Sequence, residues 1–286
     1  MRHKKIDTLG STRITARSRD ERSHRVFGGR FCSVTVLFFL ALSGCGDGQE
    51  GNGTGPDAEA GGHDAAYLDD GGGDAHVDAP SRWLELEGVV NARDVGGYRV
   101  GTVDTLRWRV LLRGGDLSGL TQRGCDEFVA LGVATVIDLR MESAQASSPP
   151  AACVSQNAEV VSVAMPKLLP ASEENYLALM EAAKGVIPTL FQALSEADAA
   201  PVYIHCVIGR DRASFAVALV MAAVGADRQA ILEDFRLSND VGIGVEEAHL
   251  EAVLDEIDNN GGILTYLDGL GVTTAQLDAV KAWSLE

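Results

Sequence analysis

The chain has 286 residues, 46% of them hydrophobic and 23% charged, and a net charge of −17. That length allows one large domain or two small ones, and the composition is that of a globular protein. So acidic a chain repels a nucleic-acid backbone, which excludes nucleic acid as an expected partner; an anionic ligand needs a local basic pocket.

The charge is unevenly spread. Residues 1–44 carry nine Lys/Arg and three acids, which leaves 38 acids against 15 bases elsewhere, a net of −23. "RVFGGRFCSVTVLFFLALSGC" runs from a basic region through an apolar core to small residues, the build of a secretory signal. Its apolar stretch, Val34 to Leu42, is shorter than the roughly 20 residues that a membrane span needs. Leu42-Ser43-Gly44-Cys45 resembles the lipobox of bacterial lipoproteins. The resemblance implies cleavage before Cys45, a lipid on its sulfur and attachment to a membrane. Residues 46–80 are rich in Gly, Asp and Ala, with nine acids and no Lys or Arg. They hold too little apolar surface to offset the entropy of ordering. The expected organisation is a lipoprotein-type signal at 1–44, a lipidated Cys45 and disordered linker at 45–80, and a folded domain at 81–286.

Within that domain, "WLELEGVVNARDVGGYRV" predicts short strands broken by a turn at Gly96-Gly97, and "RWRVLLRGG" a strand ending on glycines. "TQRGCDEFVALG" predicts a helix capped by Thr121 and stopped by Gly132. "VATVIDLR", "EVVSVAM" and "PVYIHC" are apolar runs that read as strands, the first and last fully buried. Residues 173–197 predict one or two helices, broken near Gly185 and Pro188. "RASFAVALVMAAVGA" is a helix apolar on nearly every face, hence buried, and three amphipathic helices follow it. Strands alternating with helices predict an α/β fold with a mostly parallel central sheet flanked by helices. Met165, Met180 and Met221 are expected in the core, as are Tyr98 and Trp108.

In such sheets ligands bind beyond the carboxyl ends of the strands. "HCVIGRDR" lies at one such end and opens the buried helix. Helix N-termini hold anions on their unpaired N–H groups. Gly209 permits close approach, and Arg212 offers a planar fork for two phosphate oxygens. Cys206, at a helix N-terminus beside arginines, is placed to react as a thiolate. An in-line attack on phosphorus would need a proton donor for the leaving oxygen. Asp211 is the first candidate, Asp94 the second; Asp138 is the third and reads better as the cap of a turn.

His205-Cys206-Val207-Ile208-Gly209-Arg210-Asp211-Arg212 resembles the phosphate-binding loop of Cys-dependent phosphatases. More narrowly, it is similar to a bacterial tyrosine-phosphatase-like family with a His-Cys-x-x-Gly-Lys-Asp-Arg-Thr-Gly loop. "NARDVGGY", "LLRGGDLSGLT", "VATVIDLR", "LEDFRLSND" and the C-terminal "YLDGLGVTTAQLDAVKAWSL" follow the same family in the same order, over about residues 85–286. The resemblance implies Cys206 as nucleophile, Arg212 as phosphate clamp and Asp211 as acid and base, with residues 207–212 wrapping the phosphate. It implies a phosphoprotein, phosphoinositide or inositol phosphate as substrate; a monomer is expected, and no cofactor, since no Cys/His cluster has metal spacing and no glycine-rich nucleotide fingerprint is present. Arg93, Arg113 and His205 are candidates for shaping the pocket. Three positions depart from the family: Arg210 replaces Lys, Ala213 replaces Thr and Ser214 replaces Gly. The missing Thr hydroxyl bears on release of the thiolate, so a phosphate-binding protein with little turnover is the alternative expectation. Sulfurtransferases and arsenate reductases also use a Cys in an anion loop, but no partner cysteine lies near this one. Whether Cys125 and Cys153 pair is left open by the sequence.

Overall fold

The computed structural model describes residues 80–167, 170–196 and 199–286. The signal-like segment, Cys45 and the linker as far as residue 79 lie outside the described residues.

The main sheet is built from β1 (Arg93–Asp94), β4 (Leu111–Gly114), β5 (Thr135–Asp138), β6 (Glu159–Ser162) and β7 (Val202–His205). The order is β1-β4-β7-β5-β6, with β1 antiparallel to β4 and all other pairs parallel. Between β1 and β4, β2 (Arg99–Val100) and β3 (Asp104–Thr105) form a separate two-stranded ribbon. The three inner strands, β4, β7 and β5, are buried along their whole length. That requires cover on both faces, which is why they read as continuous apolar runs rather than alternating ones. At the edge, β6 is mostly exposed although its sequence is nearly as apolar.

Side chains alternate across the sheet and sort two cores. Leu112, Val136 and Tyr203 face Phe128 and Val154, on α1 (Gln122–Ala130) and α3 (Ala152–Asn157). Leu111, Ile137, Val202 and Ile204 face the other way, into the larger core. There they meet α4 (Glu173–Ala183), α5 (Ile187–Leu194) and α6 (Asp211–Val224), with α7 (Arg228–Arg236), α8 (Glu247–Asn259), α9 (Gly262–Gly269) and α10 (Thr274–Ser284) outside them. Met165, Met180 and Met221 belong to this core, as expected. All of α6 except Asp211 and Ala222 is buried, as its sequence predicts, and Gly225 ends it in the left-handed conformation. Thr121 caps α1 by accepting from the Gly124 N–H. The break between α4 and α5 falls where expected, with Pro188 in the first turn of the second helix.

The register matters most for the site. Gly114 of β4 and Asp138 of β5 both lie opposite His205 of β7. The three central strands therefore end at one level, and the segments after them converge.

Cys125 of α1 and Cys153 of α3, 28 positions apart in sequence, form a disulfide. It closes the layer that carries the smaller core. Closing a loop of that length is worth about 3–4 kcal/mol in the chain-entropy account. The double variant Cys125→Ala/Cys153→Ala is expected to lose stability of that order in denaturant titration. Wild type unfolded under strong reductant should match it.

Candidate active site

Cys206 follows β7 directly; it is 3% exposed and not disulfide-bonded. The chain then turns through Val207–Arg210 into α6. Gly209 sits at φ +69°, and a Cβ there would lie 2.5 Å from the Gly114 carbonyl carbon. Only glycine fits, so the loop can lie against the end of β4.

Four successive carbonyls of this loop are each held by a donor from the protein body. The Cys206 carbonyl accepts from His205 Nδ1 at 3.1 Å and the Val207 carbonyl from the Asp116 N–H at 3.0 Å. The Ile208 carbonyl accepts from Asn91 Nδ2 at 3.2 Å and the Gly209 carbonyl from Arg113 Nη2 at 2.6 Å. In a trans peptide the N–H points opposite to its carbonyl. With the carbonyls drawn back onto the protein, the N–H groups of Val207–Arg210 turn to the other side. Among the described residues, no acceptor takes a backbone N–H from Val207 through Ala213. The result is a row of unpaired donors opening α6, an arrangement able to receive an anion.

Behind the loop lies a buried charge cluster. Asp234 of α7 accepts from Arg93 Nε at 2.9 Å and binds Arg113 Nη1 through its other oxygen. Arg93 also donates to the Asp234 carbonyl at 2.7 Å. Both arginines and the aspartate are 0–1% exposed. Burial alone would raise the Asp234 pKa, but Arg113 and Arg93 together pull it down to about 2. Burial, with Arg93 alongside, pushes Arg113 down to about 10, so it stays charged at neutral pH. Arg113 bonds Ser214 Oγ as well, tying β4 to the first turn of α6. Asn91, at φ +59°, bonds Ser238 as well as the loop.

Arg212 is 7% exposed and anchored by Nη1 on the Leu139 carbonyl at 3.2 Å. Asp211, the first residue of α6, accepts from the Tyr176 hydroxyl at 2.7 Å and from Arg210 Nε at 3.1 Å. A cavity of about 310 Å³ opens over the loop, lined by Val207, Ile208, Arg210, Asp211 and Arg212 with Lys167 and Met141 at its side. A second, of about 430 Å³, adjoins it between Arg210, Asp211, Tyr176 and His249. The most voluminous cavity described, about 550 Å³, lies at the other end of the sheet, by Ala134, Thr135 and Glu159, away from this chemistry.

Asp94 is placed elsewhere. It pairs with Leu112, in register with Tyr203, three residues short of Cys206. Its carboxylate accepts from the N–H groups of Gly96 and Arg109, each at 2.8 Å. The structure thus corrects its candidacy: it braces a turn. Burial, against these bonds, raises its pKa. Asp138 caps its own turn at the Arg140 N–H, as expected. His205 is fully buried, and burial lowers its pKa, so a neutral ring holds the Cys206 carbonyl through Nδ1–H. Tyr98 and Trp108 pack on Arg82 in the wall beside β2 and do not reach the loop. Asn91, Tyr176 and Asp234 were not singled out from the sequence. Asp234 had a legible signal: an acid on the apolar stripe formed by Ala230, Ile231 and Phe235.

Asp234→Asn keeps the shape but removes the counter-charge of two buried guanidinium groups. The expected loss is about 3–5 kcal/mol of stability. The folded-state pKa of Asp234 is depressed, so its contribution is present above its unfolded value, about 3.9, and is lost as pH falls toward 2. Urea unfolding between pH 5 and 2 should show wild type losing about 2 kcal/mol that the variant has no way to lose.

The sequence profile of the tyrosine phosphatase family matches residues 84–286. A triple specificity protein phosphatase, PtpB, of Mycobacterium tuberculosis is 55% identical over 40 residues, which span 14% of each chain. A protein of Cupriavidus necator named as a candidate tyrosine-protein phosphatase is 25% identical over 235 residues, 68% of this chain and 86% of that one. Among solved structures, the core catalytic domain of the PP-IP phosphatase SIW14 of S. cerevisiae aligns over 60% of this chain and 94% of its own, at 12% identity and a TM-score of 0.36. TpbA of P. aeruginosa aligns over 61% and 96%, at 17% identity and a TM-score of 0.33. With the profile matched from Leu84 to the last residue, strand, loop and buried helix included, this chain belongs to the tyrosine phosphatase family.

Proposed function

We propose that this chain is a phosphomonoester hydrolase of the protein-tyrosine-phosphatase type, acting through a phosphocysteine on Cys206. The observation that carries this reading is the row of free N–H groups from Val207 to Ala213, set between a buried thiol and Arg212. A phosphoryl group seated there has its three equatorial oxygens facing those donors and the Arg212 fork. The Cys206 sulfur attacks phosphorus as the ester bond breaks, and the electron pair leaves on the ester oxygen. Asp211 gives that oxygen a proton. Water then attacks phosphorus, Asp211 takes the proton back, and the thiolate leaves. The charge that gathers on the equatorial oxygens meets donors already in place, so no reorganisation is needed at the moment of reaction.

The substrate class is a phosphoprotein, phosphoinositide or inositol phosphate. The catalytic domain is 81–286, exported and held to a bacterial membrane through a lipid on Cys45, with 45–80 as tether. The lipobox-like Leu42–Cys45 supports the anchor. The Cys125–Cys153 disulfide supports an oxidising compartment.

Ala213 supports a second reading, a phosphate-binding protein with slow turnover. The position that carries a hydroxyl in the resembling family is a fully buried methyl here, and the neighbouring Ser214 hydroxyl is engaged by Arg113.

Cys206→Ser is expected to lower p-nitrophenyl phosphate hydrolysis at least ~100-fold, since it removes the nucleophile. Equal rates for the two proteins would overturn the mechanism. Ala213→Ser, and the bulkier Ala213→Thr, should raise the steady-state rate about tenfold if thiolate release limits turnover, by supplying one hydrogen bond to a charged leaving group. Stopped-flow measurement checks this: wild type should show a burst that the variants lose.

A further inference from the structure

We propose that Tyr176 is the positioning residue for the proton donor Asp211, holding one carboxylate oxygen so that the other faces the ester. The inference rests on the reading of Asp211 as acid and base given above.

Tyr176 comes from α4, far from the loop in sequence, and is fully buried. Its ring is fixed by Phe235 of α7, edge-on at 6.2 Å between centroids, and by His249 of α8 at 5.5 Å. Three helices thus set where its hydroxyl stands. A buried phenol needs a hydrogen-bond partner, and this one has Asp211 Oδ1 at 2.7 Å. Burial, then the adjacent Asp211 charge, raises the pKa of the phenol, so it stays a donor across the working range.

Asp211 is otherwise loosely held. It is the first residue of α6, and among the described residues its other partner is Arg210 Nε, 3.1 and 3.2 Å from the two oxygens. Arg210 is partly exposed and also leans to the Gly244 carbonyl at 3.5 Å, on the far side of the loop. A partly exposed guanidinium nitrogen set almost equally from both oxygens does not choose between them; a phenol locked by three helices on Oδ1 does. Bound at Oδ1 by Tyr176, Asp211 keeps Oδ2 as the oxygen that carries the proton. When Oδ2 gives that proton to the leaving oxygen, the new carboxylate is met at Oδ1 by the phenol. The same bond holds it as the base that takes a proton from water in the second step.

The test uses phenyl phosphates whose leaving phenols range from acidic (p-nitrophenol) to weakly acidic (phenol). A poor leaving group needs the proton most, so losing a well-placed acid steepens the dependence of kcat/KM, which reports expulsion of the leaving group even when thiolate release limits turnover, on leaving-group acidity. A packing defect lowers all esters alike. Tyr176→Phe removes a single oxygen. It is expected to cost about tenfold in kcat/KM on phenyl phosphate, the worth of one hydrogen bond to a charged group, and less than about threefold on p-nitrophenyl phosphate. Asp211→Asn should steepen the same plot further, and Tyr176→Phe should add no slope in the Asp211→Asn background. Uniform loss across the series, or no loss, in Tyr176→Phe while Asp211→Asn steepens the plot would overturn the role of Tyr176 and leave the acid assignment standing. A flat response in Asp211→Asn as well would overturn both. Thermal unfolding of each variant separates these outcomes from a failure to fold; should Tyr176→Phe unfold, the slope in wild type with 3-fluorotyrosine at position 176 decides.

Discussion

Everything at the loop depends on where its carbonyls go. A backbone turn that presents a row of N–H groups to one point must send its carbonyls the opposite way, and those carbonyls need donors. Here the donors are His205, Asn91, Arg113 and the Asp116 backbone. They come from the end of β7, the lead into β1, the body of β4 and the turn after β4. The sheet order that places β4 beside β7, with their ends level, brings the four together. The row of N–H groups is thus set from behind, by groups that lie on the other side of the loop.

The Arg93–Asp234–Arg113 cluster is hard to justify as stability. Burying one carboxylate with two guanidinium groups incurs a desolvation penalty that well-packed apolar residues would avoid. What it achieves is position. Arg113 must place Nη2 between the Gly209 carbonyl and the Ser214 hydroxyl, and a long side chain does this only when its other nitrogen, Nη1, is held by Asp234 from behind. Asp234 supplies that hold, and Arg93 holds Asp234. The effect reaches three elements that are distant in sequence, β1, β4 and α7, through one carboxylate.

Much of this fold is legible in the sequence because burial is. β5, β7 and α6 announce themselves as apolar runs of the right length, and the Cys-to-Arg spacing sits where a strand meets a helix. The supports behind the loop are less legible. Arg93 and Arg113 read equally well as surface ion pairs, since sequence does not say that both point at one carboxylate 121 residues beyond the second. Asp94 invited a catalytic role because it stands in "RDVGG", yet a neighbouring aspartate-and-glycine pattern serves a turn just as well. Tyr176 gave no signal at all, because a single tyrosine on a core-facing helix is ordinary. The short helix α3 has no apolar stripe to announce it, so the distance between Cys125 and Cys153 could be set only by the folded layer.

The three charged residues that end the loop divide their work by burial. Arg212 is nearly sealed, with one nitrogen on the Leu139 carbonyl, so its fork is fixed before any phosphate arrives. Arg210 is half-buried, bound to Asp211 and leaning to the Gly244 carbonyl, and reaches into both cavities. Asp211 lies between them and lines both cavities. A lysine at position 210 would offer a point charge with free rotation; the arginine fork can hold the Asp211 carboxylate and a loop carbonyl at once. Its replacement therefore changes the setting of the acid as well as the reach of the pocket. In the same turn, Ala213 puts a buried methyl where the resembling family has a hydroxyl. The first turn of α6 is consequently where this chain departs most from the pattern it otherwise follows: the loop keeps its Cys-to-Arg spacing and its supports, and the hydroxyl at the turn's start is gone.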